Sequence, residues 1–414
     1  MALRVQKYGG TSVADIERIS KVADRVQKAH ENGDQMVVVL SAMAGVTNKL
    51  ISLAGQVSET PDKRELDVLL ATGEQTTAAL LAMMLLARGF KAKSFLGFQA
   101  GIHTDHMSGK ARIRDIDSQN LRDALDEGNI VVVAGFQGAD DHGDITTLGR
   151  GGSDTSAVAI AASLNADVCE IFTDVDGVYT TDPRICPDAR KIRRISYEEM
   201  LEMAILGAKV LQIRSVEFAK KYNVPVHVRS SFNEEEGTMV VNESEDMESP
   251  VVSGITCDLN EARITFKSVP DQPGISAKVF GALAEAAISV DMIIQNTRTG
   301  GETDLTFTVT KDDFKRALEI SEKIAKQINA GEIKTATEIA KISVIGLGMK
   351  SHSGVAAVMF KALAQENINI RLISTSEIRI SCVILAKYAE LAVRTLHAAF
   401  GLGQEDSQED SRDQ

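Results

Sequence analysis

Tryptophan is absent from this chain of 414 residues, and aromatic residues make up only 4% of it. Stacking platforms for single-stranded nucleic acid are therefore not expected. A basic excess is missing too: 45 Lys and Arg stand against 58 Asp and Glu, for a formal net charge of -13. A nucleic-acid face needs the opposite balance, so no nucleic-acid partner is expected. An anionic substrate would have to be met by local positive charge set against the field of the whole protein. The four cysteines, Cys169, Cys186, Cys257 and Cys382, lie far apart and form no Cys-x-x-Cys. That spacing suggests neither a zinc site nor a disulfide framework, and it fits a reducing cytosol. The seven histidines are scattered. There is no uninterrupted apolar run of about 18 residues and no apolar signal region at the N-terminus, so a cytoplasmic protein without a membrane partner is expected. The Walker spacing Gly-x-x-x-x-Gly-Lys-Ser/Thr does not occur either.

The chain is too long for one core, so two or three domains are expected. Over residues 1–232, apolar β-rich runs alternate with helical patterns. The expected strands are Arg4–Tyr8, Met36–Leu40, Lys91–Phe95, Ile130–Ala134, Asp167–Thr173 and Val226–Arg229; the expected helices include Val13–His30, Leu66–Arg88, Ser118–Glu127 and Asp154–Ser163. Continuous apolar runs such as Ile130-Val131-Val132-Val133-Ala134 suit strands covered on both faces. The order predicts a three-layer α/β domain with a mostly parallel central sheet. Residues 233–250 are polar and acidic and read as a linker, and 404–414 read as a disordered acidic tail. Between them lies an internal repeat. Gly274-Ile275-Ser276-Ala277, Phe280, Ala282-Leu283-Ala284, Ile288 and Ile293 recur as Gly354-Val355-Ala356-Ala357, Phe360, Ala362-Leu363-Ala364, Ile368 and Ile373. Two small βαββαβ units, 251–335 and 336–403, fit this pattern, with apolar strands at Ser289–Ile294 and Asn369–Ser374.

Chemistry concentrates in three glycine-bearing segments. Val5-Gln6-Lys7-Tyr8-Gly9-Gly10-Thr11-Ser12 runs a strand through two glycines toward a helix, whose N-terminus would add partial positive charge to a phosphate site, with Lys7 in reach. Taken alone this is an ordinary strand-to-helix turn. Thr146–Ser156 carries Arg150 between glycines and Asp154 at the start of an alanine-rich helix. Its plain reading is a helix capped by Ser153 or Asp154, which leaves Arg150 unexplained, because a long cation between glycines gains no packing. Phe172–Tyr179 contains Asp174-Val175-Asp176-Gly177 but lacks the other ligands of a calcium loop; it suits a surface turn, a ribose or adenine edge, or a magnesium shell.

These segments, in this order, resemble the amino-acid kinase family and, within it, the aspartokinase branch. The likeness rests on Lys7-Tyr8-Gly9-Gly10-Thr11-Ser12, Ser41-Ala42-Met43, Thr47, Ala71-Thr72-Gly73-Glu74, Gly149–Asp154 and Thr173–Tyr179. The repeat is similar to the tandem ACT domains of that branch, which allows one repeat to be inserted between segments of the other. The resemblance implies ATP-dependent phosphorylation of the aspartate side chain, with magnesium accompanying ATP and no protein ligand for it fixed by the sequence. Such a reaction opens the biosynthesis of lysine, threonine and methionine. It implies that Lys7, Tyr8, Gly9, Gly10 and Ser41 hold the phosphates, and that Thr173, Asp174, Tyr179, Asp182, Arg184, Lys209 and Val210 line the nucleotide pocket. Thr47, Glu74, Arg150 and Gly151-Gly152-Ser153-Asp154 would hold aspartate, with Lys7, Gly10, Arg150 and Asp154 catalytic. It further implies that lysine, threonine or both bind the repeats: at Asp271, Gly274, Ile275, Ser276, Gln295 and Asn296 in the first, and at Ser351, His352, Gly354, Val355, Ser374, Thr375 and Glu377 in the second. A homo-oligomer formed through the ACT repeats is implied, and the branch also allows a separate regulatory subunit started near Met247.

Overall fold

Every side chain of the Ile130–Ala134 strand is buried, as its unbroken apolar run demands. It lies inside an eight-stranded sheet in the order Arg194–Ser196, Thr238–Val241, Val226–Ser230, Val168–Thr173, Leu3–Tyr8, Gln35–Leu40, Ile130–Ala134, Ala92–Phe95. All neighbours pair in parallel except Thr238–Val241 against Val226–Ser230. The computed structural model describes residues 2–208, 210–243, 251–298, 301–350 and 352–403. The chain divides into two units, Met1–Tyr179 with Lys191–Met247, and Thr180–Arg190 with Glu248–Gln414.

The first unit carries the helices α1 (Ile16–Glu31), α2 (Val46–Val57), α3 (Lys63–Ala87), α4 (Gln119–Asp126), α5 (Gly152–Leu164), α6 (Tyr197–Ile205) and α7 (Ile213–Tyr222). Side chains alternate along a strand. Tyr8, Val38, Leu40, Val132 and Ala134 pack with Ile19, Val22 and Val26 of α1 and with Ala78, Leu81 and Leu85 of α3. Burying each large apolar side chain there stabilises the fold by roughly 1.5–3 kcal/mol. Tyr8 stacks on Phe172, with ring centroids 4.7 Å apart. Because Tyr8 faces that core, its neighbour Lys7 is turned to the opposite face of the sheet, where α5 packs. Although the sequence has no unbroken apolar run, α3 is long and apolar enough to cross a bilayer, yet half of its apolar window is buried in the protein. Its Asp67 and Glu74 are buried as well, so it serves as a core helix.

Two sequence expectations change in this unit. The stretch read as a linker contains the strand Thr238–Val241, placed between Arg194–Ser196 and Val226–Ser230, because Thr238 and Val240 have an apolar place to bury that the acidic composition around them conceals. The helix after Gly9-Gly10 does not begin there: Gly10–Val13 is a single 3-10 turn, and α1 starts at Ile16, capped by the Asp15 side chain accepting from the Arg18 N–H.

The second unit holds two antiparallel four-stranded sheets. The first repeat follows the expected βαββαβ order: Glu261–Pro270, helix Ile275–Glu285, Ile293–Arg298, Glu302–Thr310, helix Lys311–Gln327, Ile333–Ala336. The second, Ile339–Ile345, helix Val355–Gln365, Leu372–Thr375, Arg379–Leu385, helix Ala389–Ala399, lacks the sixth element, a fourth strand of its own. Gly254–Asp258, expected to open the first repeat, pairs instead with Ile339–Ile345. That strand is buried along its whole length and so requires a neighbour on each side. The first repeat is therefore inserted within the second. The expected strands Ser289–Ile294 and Asn369–Ser374 are shifted toward the C-terminus, to Ile293–Arg298 and Leu372–Thr375, so Gln295 and Asn296 sit within a strand rather than at its end. Thr180–Arg190, from the middle of the sequence, belongs to this unit; the Thr180 hydroxyl lies 2.9 Å from His397 Nε2 in a buried contact. The acidic tail and Met247 lie outside the described residues.

Candidate active site

A cleft of about 310 Å³ opens in the first unit, with walls from five segments: Lys7 with Gly10, Ser41–Gly45 with Thr47, Glu74, Phe136, and Gly149–Asp154. Lys7, Ser41 and Phe136 stand at or just beyond the C-terminal ends of parallel strands, where α/β sheets bind ligands. On one wall the Lys7 ammonium lies 2.5 Å from Asp154 Oδ1, each side chain little more than a tenth exposed. Strand alternation aims Lys7 and the first turn of α5 supplies Asp154. The pairing joins residues 147 positions apart in sequence.

Glu74 is 4% exposed. Its Oε1 accepts from the Ala42 N–H at 3.0 Å, while its Oε2 is buried without a partner. Burial pushes the carboxyl up to about 7, against the smaller opposing effect of the Ala42 hydrogen bond. A buried carboxylate with one oxygen unpaired lacks a cation. Seven residues earlier on α3, Asp67 accepts from Gly109 N at 2.9 Å, Thr147 N at 3.0 Å and Thr147 Oγ1 at 2.6 Å. Two helical turns separate the pair, so α3 sets Glu74 in the cleft and anchors the root of the Gly149–Asp154 loop with one face. Arg150, on that loop, is exposed, and no described carboxylate pairs with its guanidinium.

The sequence placed a helix dipole at Gly9-Gly10, but the structure moves that contribution. The Gly9 N–H donates to Phe172 O at 3.3 Å, and α1 is capped. At the cleft, the uncapped N-termini are those of α2, entered through Gly45 at φ 80°, and α5, entered through Gly151 at φ 69°. Neither has a side-chain cap, and the first turns of both line the cleft. Their free N–H groups are ready for an anion. Ser153 and Asp154 are therefore inside the helix rather than caps. Gly10 has a different reason: a Cβ there would stand 2.9 Å from Ala42 O, so only glycine lets the Ser41–Gly45 loop approach.

Of the residues singled out in the sequence, Lys7, Gly10, Ser41, Thr47, Glu74 and Arg150 through Asp154 converge on this cleft. Tyr8 does not, because its ring is in the core. Thr173, Asp174 and Tyr179 are not among its walls; the Thr173 hydroxyl donates to Asp174 Oδ1 at 3.1 Å and the Tyr179 hydroxyl to Asp176 Oδ1 at 2.9 Å. Val210 is not among them either, and Lys209 lies outside the described residues. Asp182 and Arg184 pair with each other at 2.7 Å within the second unit. Met43, Ala44, Gly45 and Phe136 line the cleft without having been assigned a role. Phe136 holds a positive φ of 69°, a strained backbone of the kind that collects at functional sites. Its place just after an apolar strand, in Gly135-Phe136-Gln137-Gly138, was the available signal.

In the second unit a small cavity of about 20 Å³ is lined by Asp271, Gln272, Ile275, Ser276, Gln295 and Thr303, among others. The Thr303 hydroxyl is buried there without a partner. In the second repeat, His352 Nδ1 lies 2.9 Å from Gly348 O, Gly354 has φ 108°, and Ser351 lies outside the described residues.

The amino acid kinase family profile matches residues 2–230, and an ACT domain profile matches 267–323 and 342–400. An aspartate kinase of Pseudomonas putida is 57% identical over 403 residues, covering 97% of this chain and 98% of the relative. The crystal structure of Escherichia coli aspartokinase III in complex with aspartate and ADP (R-state) superposes with a TM-score of 0.79 at 28% identity, covering 96% of this chain and 99% of that one. The same enzyme in complex with lysine and aspartate (T-state) gives 0.76 at 28% identity, with the same coverage.

Glu74 also makes a prediction about stability. Its folded pKa lies above the ordinary 4.5, so the folded state keeps a proton that the unfolded chain releases, and stability falls as pH rises from about 4.5 to 7. Glu74→Gln removes this titration. By scanning calorimetry its melting temperature should exceed the parent's by about 5 °C at pH 8 and by much less at pH 5. A difference of equal size at both pH values would show that Glu74 does not titrate in this way.

Proposed function

The chain belongs to the amino acid kinase family and, within it, to the aspartokinases; from that premise we propose how its cleft phosphorylates the side-chain carboxylate of L-aspartate with ATP. The carrying observation is the complementarity of two unsatisfied groups. Aspartate brings one ammonium and two carboxylates; the cleft offers the unpaired oxygen of Glu74 and the exposed guanidinium of Arg150, which pairs with no described carboxylate. Glu74 receives the ammonium, Arg150 a carboxylate by a bidentate pair, and Thr47 with Gly151–Ser153 closes around the substrate. The side-chain carboxylate is then left facing the phosphate side of the cleft.

An ionised carboxylate is already a nucleophile at neutral pH, so no general base is required, in keeping with a cleft that contains no histidine. A carboxylate oxygen bonds to the γ-phosphorus as the bond from phosphorus to the bridging oxygen of ADP breaks, giving 4-phospho-aspartate. The obstacle is the repulsion between two anions. Lys7, fixed by Asp154, supplies a positioned positive charge, and the N–H groups opening α2 and α5 supply partial charges that need no reorganisation. Gly10 and Ser41 complete the phosphate wall, and Thr173, Asp174 and Tyr179 remain the proposed nucleotide contacts. Magnesium enters with the triphosphate, offsetting its charge.

The Asp271–Ser276 loop with Gln295 is the proposed effector site, where the orphaned Thr303 hydroxyl supports an amino-acid ligand such as lysine or threonine. A homo-oligomer through the ACT repeats is supported by the strands Ile293–Arg298 and Leu372–Thr375. Each is an open sheet edge, with Ile293 and Ile373 half exposed. In metabolism the reaction would open the synthesis of lysine, threonine and methionine.

ATP consumption should be strongest with L-aspartate in a panel of acidic amino acids, and added lysine or threonine should reduce it. Preference for glutamate would remove the substrate assignment. Gln295→Ala should relax that inhibition without altering uninhibited turnover; unchanged sensitivity would move the effector elsewhere. Lys7→Ala should lower kcat by about 10²-fold or more with the melting temperature little changed, and near-parental kcat would take Lys7 out of the chemistry.

A further inference from the structure

Arg150 lies on an exposed loop, between Gly149 at φ 77° and Gly151 at φ 69°. Two glycines flanking a long cation give the backbone wide freedom, whereas a substrate-binding guanidinium must be held to within about half an ångström. The loop is gripped from outside the cleft. Gln212, the N-cap of α7, donates from Nε2 to the backbone carbonyl of Arg150 at 2.9 Å. Its Oε1 accepts from the Ile213 N–H at 2.9 Å. The same side chain fills the space over Gly151, where a Cβ would stand 2.2 Å from Gln212 Cγ. Two residues along, Arg214 donates to Leu148 O at 2.6 Å and to Ala111 O at 3.0 Å. The backbone on both sides of Gly149 is thus tied to the first turn of α7.

We propose that Gln212 is a positioning residue: its amide N–H, hydrogen-bonded to the Arg150 carbonyl, sets the direction of the Arg150 guanidinium and so the affinity for the amino-acid substrate. The inference rests on Arg150 being the carboxylate ligand. Gln212 touches no reacting atom and acts only through that carbonyl, with Arg214 holding Leu148, two residues earlier. Its two ends do separable work. The oxygen caps the helix and the nitrogen holds the loop, so the two roles can be divided by one substitution.

Gln212→Glu keeps the capping oxygen, and its negative charge suits a helix N-terminus, but it replaces the donor with an acceptor facing the Arg150 carbonyl. The expected result is a melting temperature equal to or above the parent's, an aspartate KM raised about 10-fold, and an ATP KM within about twofold of the parent's. The double variant Arg150→Ala/Gln212→Glu should behave as Arg150→Ala alone, since a device that aims a guanidinium has no effect once the guanidinium is gone. A parental aspartate KM in Gln212→Glu, equal rises for both substrates, or additive effects in the double variant would each overturn the proposal. If Arg150→Ala itself spares the aspartate KM, the reading of Arg150 falls first and this proposal with it. If Arg150→Ala raises that KM and Gln212→Glu does not, only the role of Gln212 falls.

Discussion

A carboxylate buried with one oxygen unpaired is costly, and the first unit is arranged around such a group at Glu74. Desolvation of a charge in a low-dielectric setting outweighs the single hydrogen bond from Ala42, so the free protein holds Glu74 near the midpoint of its titration at neutral pH. A cation brought beside it recovers that cost. Selectivity for a substrate with an ammonium group then follows from electrostatics more than from shape. The same helix extends the constraint outward: Asp67, two turns away, receives three donors and fixes the loop that carries Arg150. Distance between the two proposed substrate ligands, Glu74 and Arg150, is thereby set through a rigid element and its anchored loop.

The second demand is to bring an anionic phosphate donor into a protein of net charge -13. The positive potential is assembled locally from Lys7 and from two helix N-termini that no side chain caps. Asp154 cancels part of Lys7's charge yet fixes its position. In a phosphoryl transfer a fixed charge is worth more than a mobile one, because it needs no reorganisation as charge develops.

How much of this was legible beforehand depends on the range of the interactions. The sheet strands were readable because a fully buried parallel strand must be continuously apolar, as Ile130–Ala134 is. Lys7, Glu74, Arg150 and Asp154 were recognisable as residues, but their geometry was not. The Lys7–Asp154 pair depends on which face of the strand Tyr8 takes, and the orphaned oxygen of Glu74 depends on what the Ala42 loop leaves uncovered. The dipole was placed at the wrong helix because Asp15 looks like any turn residue until its side chain is seen to cap α1. The resemblance allowed one repeat to be inserted in the other but did not place the strand Gly254–Asp258: local sequence encodes a strand, and only the need of Ile339–Ile345 for a second neighbour selects its sheet. Gln212 carried no signal at all, since glutamine is not among the usual helix caps and nothing local ties it to Arg150, 62 positions away.

The most direct test of the central claim is the proton balance of aspartate binding, followed by titration calorimetry in buffers of different ionisation enthalpy. If Glu74 meets the ammonium, binding lowers its pKa, and roughly half a proton should be released per aspartate bound near pH 7, falling toward zero at pH 9. Proton uptake near pH 7, or a balance that does not change with pH, would contradict the account.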